Sequence, residues 1–245
     1  IHSSIFKDGT PAVVVNLKKL SGRPHDFEYL AYKLIETASQ VWDNKFYLVY
    51  DFTEYYYYIE TVTIEYANLI ANSGTKLLFS NCQRVYYFNI PRIENPGIME
   101  GVKLVRSKGE KYGTKVYIYS LADPDSIIKN LCLDLETLAI NRENKVTFKD
   151  VLLYDATTEK FMPVQFKIGR RFVTLCFTNR VKFDYIASVT DGFNPVEIYR
   201  ISEMNKCEVS NFTGNNDEFT IYLNRGVQLT FRSQDRLEIL RYLYF

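Results

Sequence analysis

Few side chains in this sequence suit covalent or metal chemistry, and their spacing does not assemble them. The histidines are His2 and His25, and the cysteines are Cys82, Cys132, Cys176 and Cys207. His2 stands in the first few residues. His25, between Pro24 and Asp26 at a helix start, reads as a surface residue rather than a ligand. No two cysteines form a C-x-x-C pair, which fits free thiols in a reducing compartment and predicts a cytoplasmic protein. A G-x-S-x-G elbow, a G-x-x-x-x-G-K phosphate loop and a G-x-G-x-x-G turn are all missing. These gaps predict a binding module, not an enzyme, with no metal and no cofactor.

Charge narrows the partners. Lys plus Arg is 30 and Asp plus Glu is 29, so no net field marks the chain as a nucleic-acid binder. A local basic patch stays open, since Lys160, Lys167, Arg170, Arg171, Arg180 and Lys182 fall around successive hairpins. An anionic membrane surface or a phosphoinositide is one reading of that patch, a solvated face the other. Aromatic side chains are abundant, with Tyr 20 and Phe 17. Tyr55–Tyr58 follow a predicted strand, at the end of the sheet where α/β folds bind ligands, and either line a pocket or pack on a neighbour. No apolar run reaches ~18 residues, so no spanning helix is predicted. The chain opens at Ile1 rather than Met, as a piece of a longer protein would.

The elements that must position these residues change character along the chain. Residues 12–17 (AVVVNL), 46–51 (FYLVYD), 85–90 and 116–120 read as buried strands. Helical patterns lie between them, at 25–42, around Val62, Tyr66, Leu69 and Ile70 up to Gly74, and from Pro96. This alternation predicts a mainly parallel sheet covered by helices. After residue 146 the helical pattern vanishes. Strand-like runs at 151–154, 164–168, 172–177, 181–189, 196–201, 207–212, 219–223 and 227–231 are followed by a helix capped by Ser233. The expected domains are therefore 1–146, including a connection from 132, and 147–245, a half-open antiparallel barrel with a C-terminal helix.

The stretch VYYFNIPRIENPGIMEGVKLV, residues 85–105, joins an aromatic strand to a well-delimited helix. Asn95 suits the N-cap, Pro96 the first helical position, and Gly109 a left-handed stop. Ile98, Met99, Val102 and Val105 form the apolar face, with Lys103 and Arg106 off it. That face alone does not distinguish core from cover.

The order YYFNIPRI, amphipathic helix, KVYIY, together with FYLVYDFTEY, resembles the CRAL-TRIO lipid-transfer family. With the barrel that follows, IFKDGTPAVVVNL, FYLVYDFTE, PVQFKIGRRFVTL and FTIYLNRGVQLTF resemble, in order, the bipartite CRAL-TRIO and PH-like module of neurofibromin-type Ras GTPase-activating proteins. The fungal members are the closer match. The resemblance implies an α/β CRAL-TRIO-like lobe holding one glycerophospholipid under a gate helix of about residues 95–108, braced by the PH-like barrel. It assigns the gate to Ile98, Met99, Val102 and Val105, and the cavity wall to Tyr86, Phe88, Tyr117 and Tyr119. Which strand face meets the cavity stays open. Lys103, Arg106 and Lys108 become candidates for the phosphate, against a solvated helix face. Lys167, Arg170 and Arg171 become the PH-like basic patch. Other domains of the parent Ras regulator are implied partners; the GTPase-activating activity lies outside this chain, which lacks the F-L-R context of the arginine finger. The alternative is a module whose barrel recruits the parent protein to a partner, a phosphoinositide or a membrane.

Overall fold

The computed structural model describes residues 1–6, 8–17, 27–53, 75–91, 96–119, 146–179, 194–209, 217–224 and 226–243. The expectations at His25, Tyr55–Tyr58, residues 62–70, Cys132, residues 132–145, Arg180, Lys182 and residues 181–189 lie outside them. So do the side chains of Ile98 and Met99. Contacts divide the chain into two compact units, Ile1–Asp134 with Val181–Pro195, and Leu135–Arg180 with Val196–Phe245.

The first unit is a five-stranded sheet in the order β1 (His2–Ile5), β2 (Pro11–Asn16), β3 (Phe46–Asp51), β4 (Cys82–Phe88), β5 (Lys115–Tyr119). β1 is an antiparallel edge strand, and β2 to β5 run parallel. The β-branched run of β2 and the six residues of β3 are almost wholly buried, as strands covered on both faces must be. Among the described residues three helices accompany the sheet: α1 (Phe27–Ser39), α2 (Thr75–Phe79) and α3 (Pro96–Gly109). α1 stops three residues before the expected end, and Val41 and Trp42 pack against the core from the turn that follows.

Strand side chains alternate between faces, so the core membership identifies the helix-covered side. Val13, Val15, Leu48, Tyr50, Val85, Tyr87, Val116 and Ile118 form one cluster with Ala31, Leu34 and Ala38 of α1, Leu78 and Phe79 of α2, and Val102 and Val105 of α3. All three described helices thus share one face, the arrangement that right-handed crossovers between consecutive parallel strands produce.

α3 begins at Pro96 as the sequence predicts, but its stop differs. Gly109 is right-handed, with φ −68°, and the chain continues through a 3-10 turn, Glu110–Tyr112, to a left-handed Gly113 at φ +77°. Packing explains Gly109: a Cβ there would lie 3.0 Å from the Thr114 Cβ. Thr114 donates its hydroxyl to the Cys82 carbonyl at 2.7 Å, which ties the helix end to β4.

The second unit is a seven-stranded antiparallel sheet, in the order β10 (Met204–Val209), β11 (Glu218–Leu223), β12 (Gln228–Arg232), β6 (Val146–Asp155), β7 (Lys160–Ile168), β8 (Phe172–Phe177), β9 (Val196–Arg200). β6 is shared, pairing with β7 along its length and with β12 at Leu152 and Leu153. Phe166, Phe219 and Phe231 meet inside, Phe231 lying edge-on to Phe166 at 5.1 Å and stacked with Phe219 at 5.2 Å. The C-terminal helix α4 (Arg236–Leu243) buries Ile239 and Leu240. The Ser233 hydroxyl accepts from the Asp235 amide at 3.1 Å, the capping role expected of it. Among the described residues, these strands and one helix match the content of a PH-like barrel.

Candidate functional site

The structure separates the residues assigned to gate and wall. Val102 and Val105 are 1% and 4% exposed and lie in the core among Val85, Tyr87, Val116 and Ile118. Tyr86, Phe88, Tyr117 and Tyr119 occupy the alternate positions of the same strands, so they project from the opposite face. Among the described residues, Val102 and Val105 of the gate set therefore lie on the side of the sheet opposite the wall set, with the other described helices. Two of the three head-group candidates on α3 are also engaged. Lys103 pairs with Glu100 at 2.5 Å and Arg106 with Glu110 at 2.6 Å, both on the helix surface. Lys108 is partly exposed in the last turn.

The face away from the helices carries a connected array of rings. Strand register sets it out in rows: Ala12, Tyr47, Arg84 and Lys115 lie abreast, then Val14, Val49, Tyr86 and Tyr117, then Asn16, Asp51, Phe88 and Tyr119. Tyr86 sits at the centre. It stacks on Phe6 at 5.6 Å, on Tyr117 at 5.4 Å and on Tyr119 at 5.7 Å, and meets Tyr47 edge-on at 5.6 Å. Burial pushes the Tyr119 phenol up to about 12, and raises that of Tyr86 against the opposing pull of Arg84.

At the N-terminal end of this array stands Arg84, which sequence reasoning did not single out. Its guanidinium lies over the rings of Tyr47 and Tyr117, at 5.4 and 5.6 Å, and donates to the Tyr86 hydroxyl at 3.1 Å. The alternation of Arg84 with Tyr86 and Phe88 was the available signal. Arg84 and Lys115 are direct lateral neighbours, an unfavourable placement for two like charges. With Lys45, Asn81 and Tyr112 they line a concavity of about 310 Å³ that has no carboxylate in its wall among the described residues. The nearby Asp8 is held low first by the Thr10 amide and, more weakly, by Arg84.

The other end of the sheet is closed by a buried polar network. Asp51 accepts from the Thr53 amide at 2.9 Å, and the Asn89 side chain donates to the Thr53 hydroxyl at 2.8 Å. The Asn89 amide donates to the Tyr119 carbonyl at 2.9 Å while its backbone turns left-handed at φ +54°. Asn89 of the N-I-P motif therefore joins the ends of β3, β4 and β5.

In the second unit the basic patch divides. Lys160 and Lys167 sit towards opposite ends of β7, about 23 Å apart at strand rise. Arg171 and Arg200 both lie over the Phe172 ring, at 5.4 and 5.0 Å. Lys167 pairs across to Thr174. Arg170, exposed on the β7–β8 turn, lines a concavity of about 520 Å³ with residues of α4. Among the described residues no group of three or more His, Cys, Asp or Glu is placed to hold a metal, and no helix is long and apolar enough to cross a membrane.

Comparison with known proteins adds ancestry. No family model matches the chain. It is 27% identical over 262 residues to Inhibitory regulator protein IRA1 of Saccharomyces cerevisiae, an alignment that takes in the whole chain and 8% of that protein. Inhibitory regulator protein IRA2 of the same yeast is also 27% identical, over 254 residues, with the same coverage. The chain is a homologue of these yeast inhibitory regulators. That agrees with the fungal, neurofibromin-like resemblance seen in the sequence. Among solved structures, the Slm1 PH domain in complex with phosphoserine gives a TM-score of 0.30 at 11% identity, covering 41% of this chain and 89% of that one. A Vav1 structure with an allosteric inhibitor gives 0.31 at 11% identity, covering 74% and 44%.

Proposed function

We propose that the chain is a non-catalytic glycerophospholipid-binding module of a Ras GTPase-activating regulator, with a CRAL-TRIO-like first unit and a PH-like second, working in the cytoplasm and at membrane surfaces. One observation carries this reading: the sheet face opposite the described helices is aromatic and apolar, and ends in cations. Acyl chains laid along Tyr117 and Tyr119, the half-buried rings of the array, would leave water at about 0.8 kcal/mol per CH2 group. The phosphate would reach Arg84, Lys115 and Lys45, where a planar guanidinium held by two rings offers its remaining N–H donors. This places the head group at the strand N-termini instead of on α3, whose Lys103 and Arg106 already have carboxylate partners.

Lipid extraction and mass spectrometry of the chain purified from cells test the proposal. Stoichiometric glycerophospholipid is expected in the wild type, with a large loss in an Arg84→Glu, Lys115→Glu double variant that keeps its circular dichroism. A wild-type chain that carries no phospholipid and takes none up from vesicles would sink it.

A further inference from the structure

The second unit holds a set of charges that have no partner among the described residues. Glu238, Arg241 and Tyr242 lie at i, i+3 and i+4 on α4, hence on one side of it. Arg170 faces them from the β7–β8 turn, and Ile168 and Ile201 complete the concavity. Glutamate and a cation three residues apart usually meet on a helix, and elsewhere in this chain they do: Lys33 with Glu36 at 2.6 Å and Glu100 with Lys103 at 2.5 Å. Glu238 and Arg241 have the same spacing but make no ion pair. Among the described residues neither they nor Arg170 has a hydrogen-bonding or ionic partner. Two arginines and one glutamate therefore line a shared volume of about 520 Å³, together with Ile168 and Ile201.

We infer that this concavity is a binding site for a serine phosphate head group, the chemistry of phosphatidylserine. Such a group carries a phosphate, a carboxylate and an ammonium ion, the charge inverse of the site. Arg170 and Arg241 take the two anions, for which the planar fork of arginine is suited, and Glu238 takes the ammonium. A phosphorylated serine inside a peptide lacks the free ammonium and fits less well. The site belongs wholly to the second unit, so the inference stands whether or not the first unit holds lipid.

The test uses the full chain and two sources of the same chemistry. Titration with glycerophosphoserine, glycerophosphoethanolamine and glycerol 3-phosphate reads the soluble head. Sedimentation with phosphatidylcholine vesicles containing either phosphatidylserine or phosphatidylglycerol, lipids of equal net charge, reads the membrane. Glycerophosphoserine should bind most tightly of the three, and Arg170→Glu or Arg241→Glu should weaken it by about tenfold or more. Glu238→Gln should reduce the preference for serine over glycerol heads without weakening the glycerol heads. Co-sedimentation with phosphatidylserine vesicles identifies the lipid as the source; binding of the soluble head alone identifies a free phosphate ester. Equal binding of serine and glycerol heads in both arms, or wild-type binding by Arg241→Glu, overturns the site. Both arginines are exposed, so the variants are expected to fold, and phospholipid carried by the first unit should be unchanged in them.

Discussion

Val102 and Val105 decide whether α3 is core or cover, and as placed here they are core. Both valines are buried in the cluster that also holds Val85, Tyr87, Val116 and Ile118, so shortening either removes packed methyl groups from a closed interior. Val105→Ala should lower unfolding free energy by about 2 kcal/mol, read as a shift in the urea midpoint at unchanged slope. A loose lid residue would change it by less than about 0.5 kcal/mol. The helix, its first residue and the burial side of Val102 and Val105 in its apolar stripe were legible in the sequence. The partner of that stripe was not, because β4 and β5 are apolar or aromatic on both faces, and alternation identifies two faces without saying which one the helices take. Arg84 escaped notice for a related reason: a cation at the start of a buried strand reads as an edge residue until lateral register places it beside Lys115 and over two tyrosines.

At the scale of elements, the connection from α3 to β5 depends on backbone conformations more than on side chains. Gly113 holds φ +77°, where any Cβ is strained although the space around it is open. Gly113→Ala should therefore destabilise the chain by about 1 kcal/mol or more, and Gly113→Asn by less, since asparagine tolerates the left-handed region. Thermal unfolding of the two variants checks the order; equal melting temperatures would remove the argument. The sequence pointed to Gly109 alone as the left-handed stop. Only the close approach of Thr114 shows that Gly109 is small for packing and Gly113 for conformation. In the second unit β8 was read with its observed bounds, because six consecutive buried residues leave no ambiguity. β6 begins five residues before the apolar run at Val151, since its first half alternates with exposed Thr147, Lys149 and Asp150 and carries a register shift between Phe148 and Val151. A bulge breaks the period on which strand recognition relies.

Over the whole molecule, the dense aromatic content has a consequence for stability at alkaline pH. Burial is the first cause that raises Cys82 to about 12 and Tyr119 to about 12, and it also raises Tyr50 and Tyr86. All four stand in the first unit. Each holds its proton more tightly folded than unfolded, so its contribution to stability is complete below its ordinary value, about 9 for the thiol and 10 for the phenols, and is lost as pH rises through the folded value. The unfolding free energy should hold level on this account up to about pH 9 and decline from there to about pH 12. Cys82→Ala isolates one contribution: its decline should be shallower than wild type over that window, even if the variant is less stable at neutral pH. Tyrosinate absorbance followed during the same titration should show some of the 20 tyrosines ionising late, in step with loss of structure. If every tyrosine titrates together near its ordinary value while the fold persists, the ring array is open to water, and it would then be too wet to shelter an acyl chain.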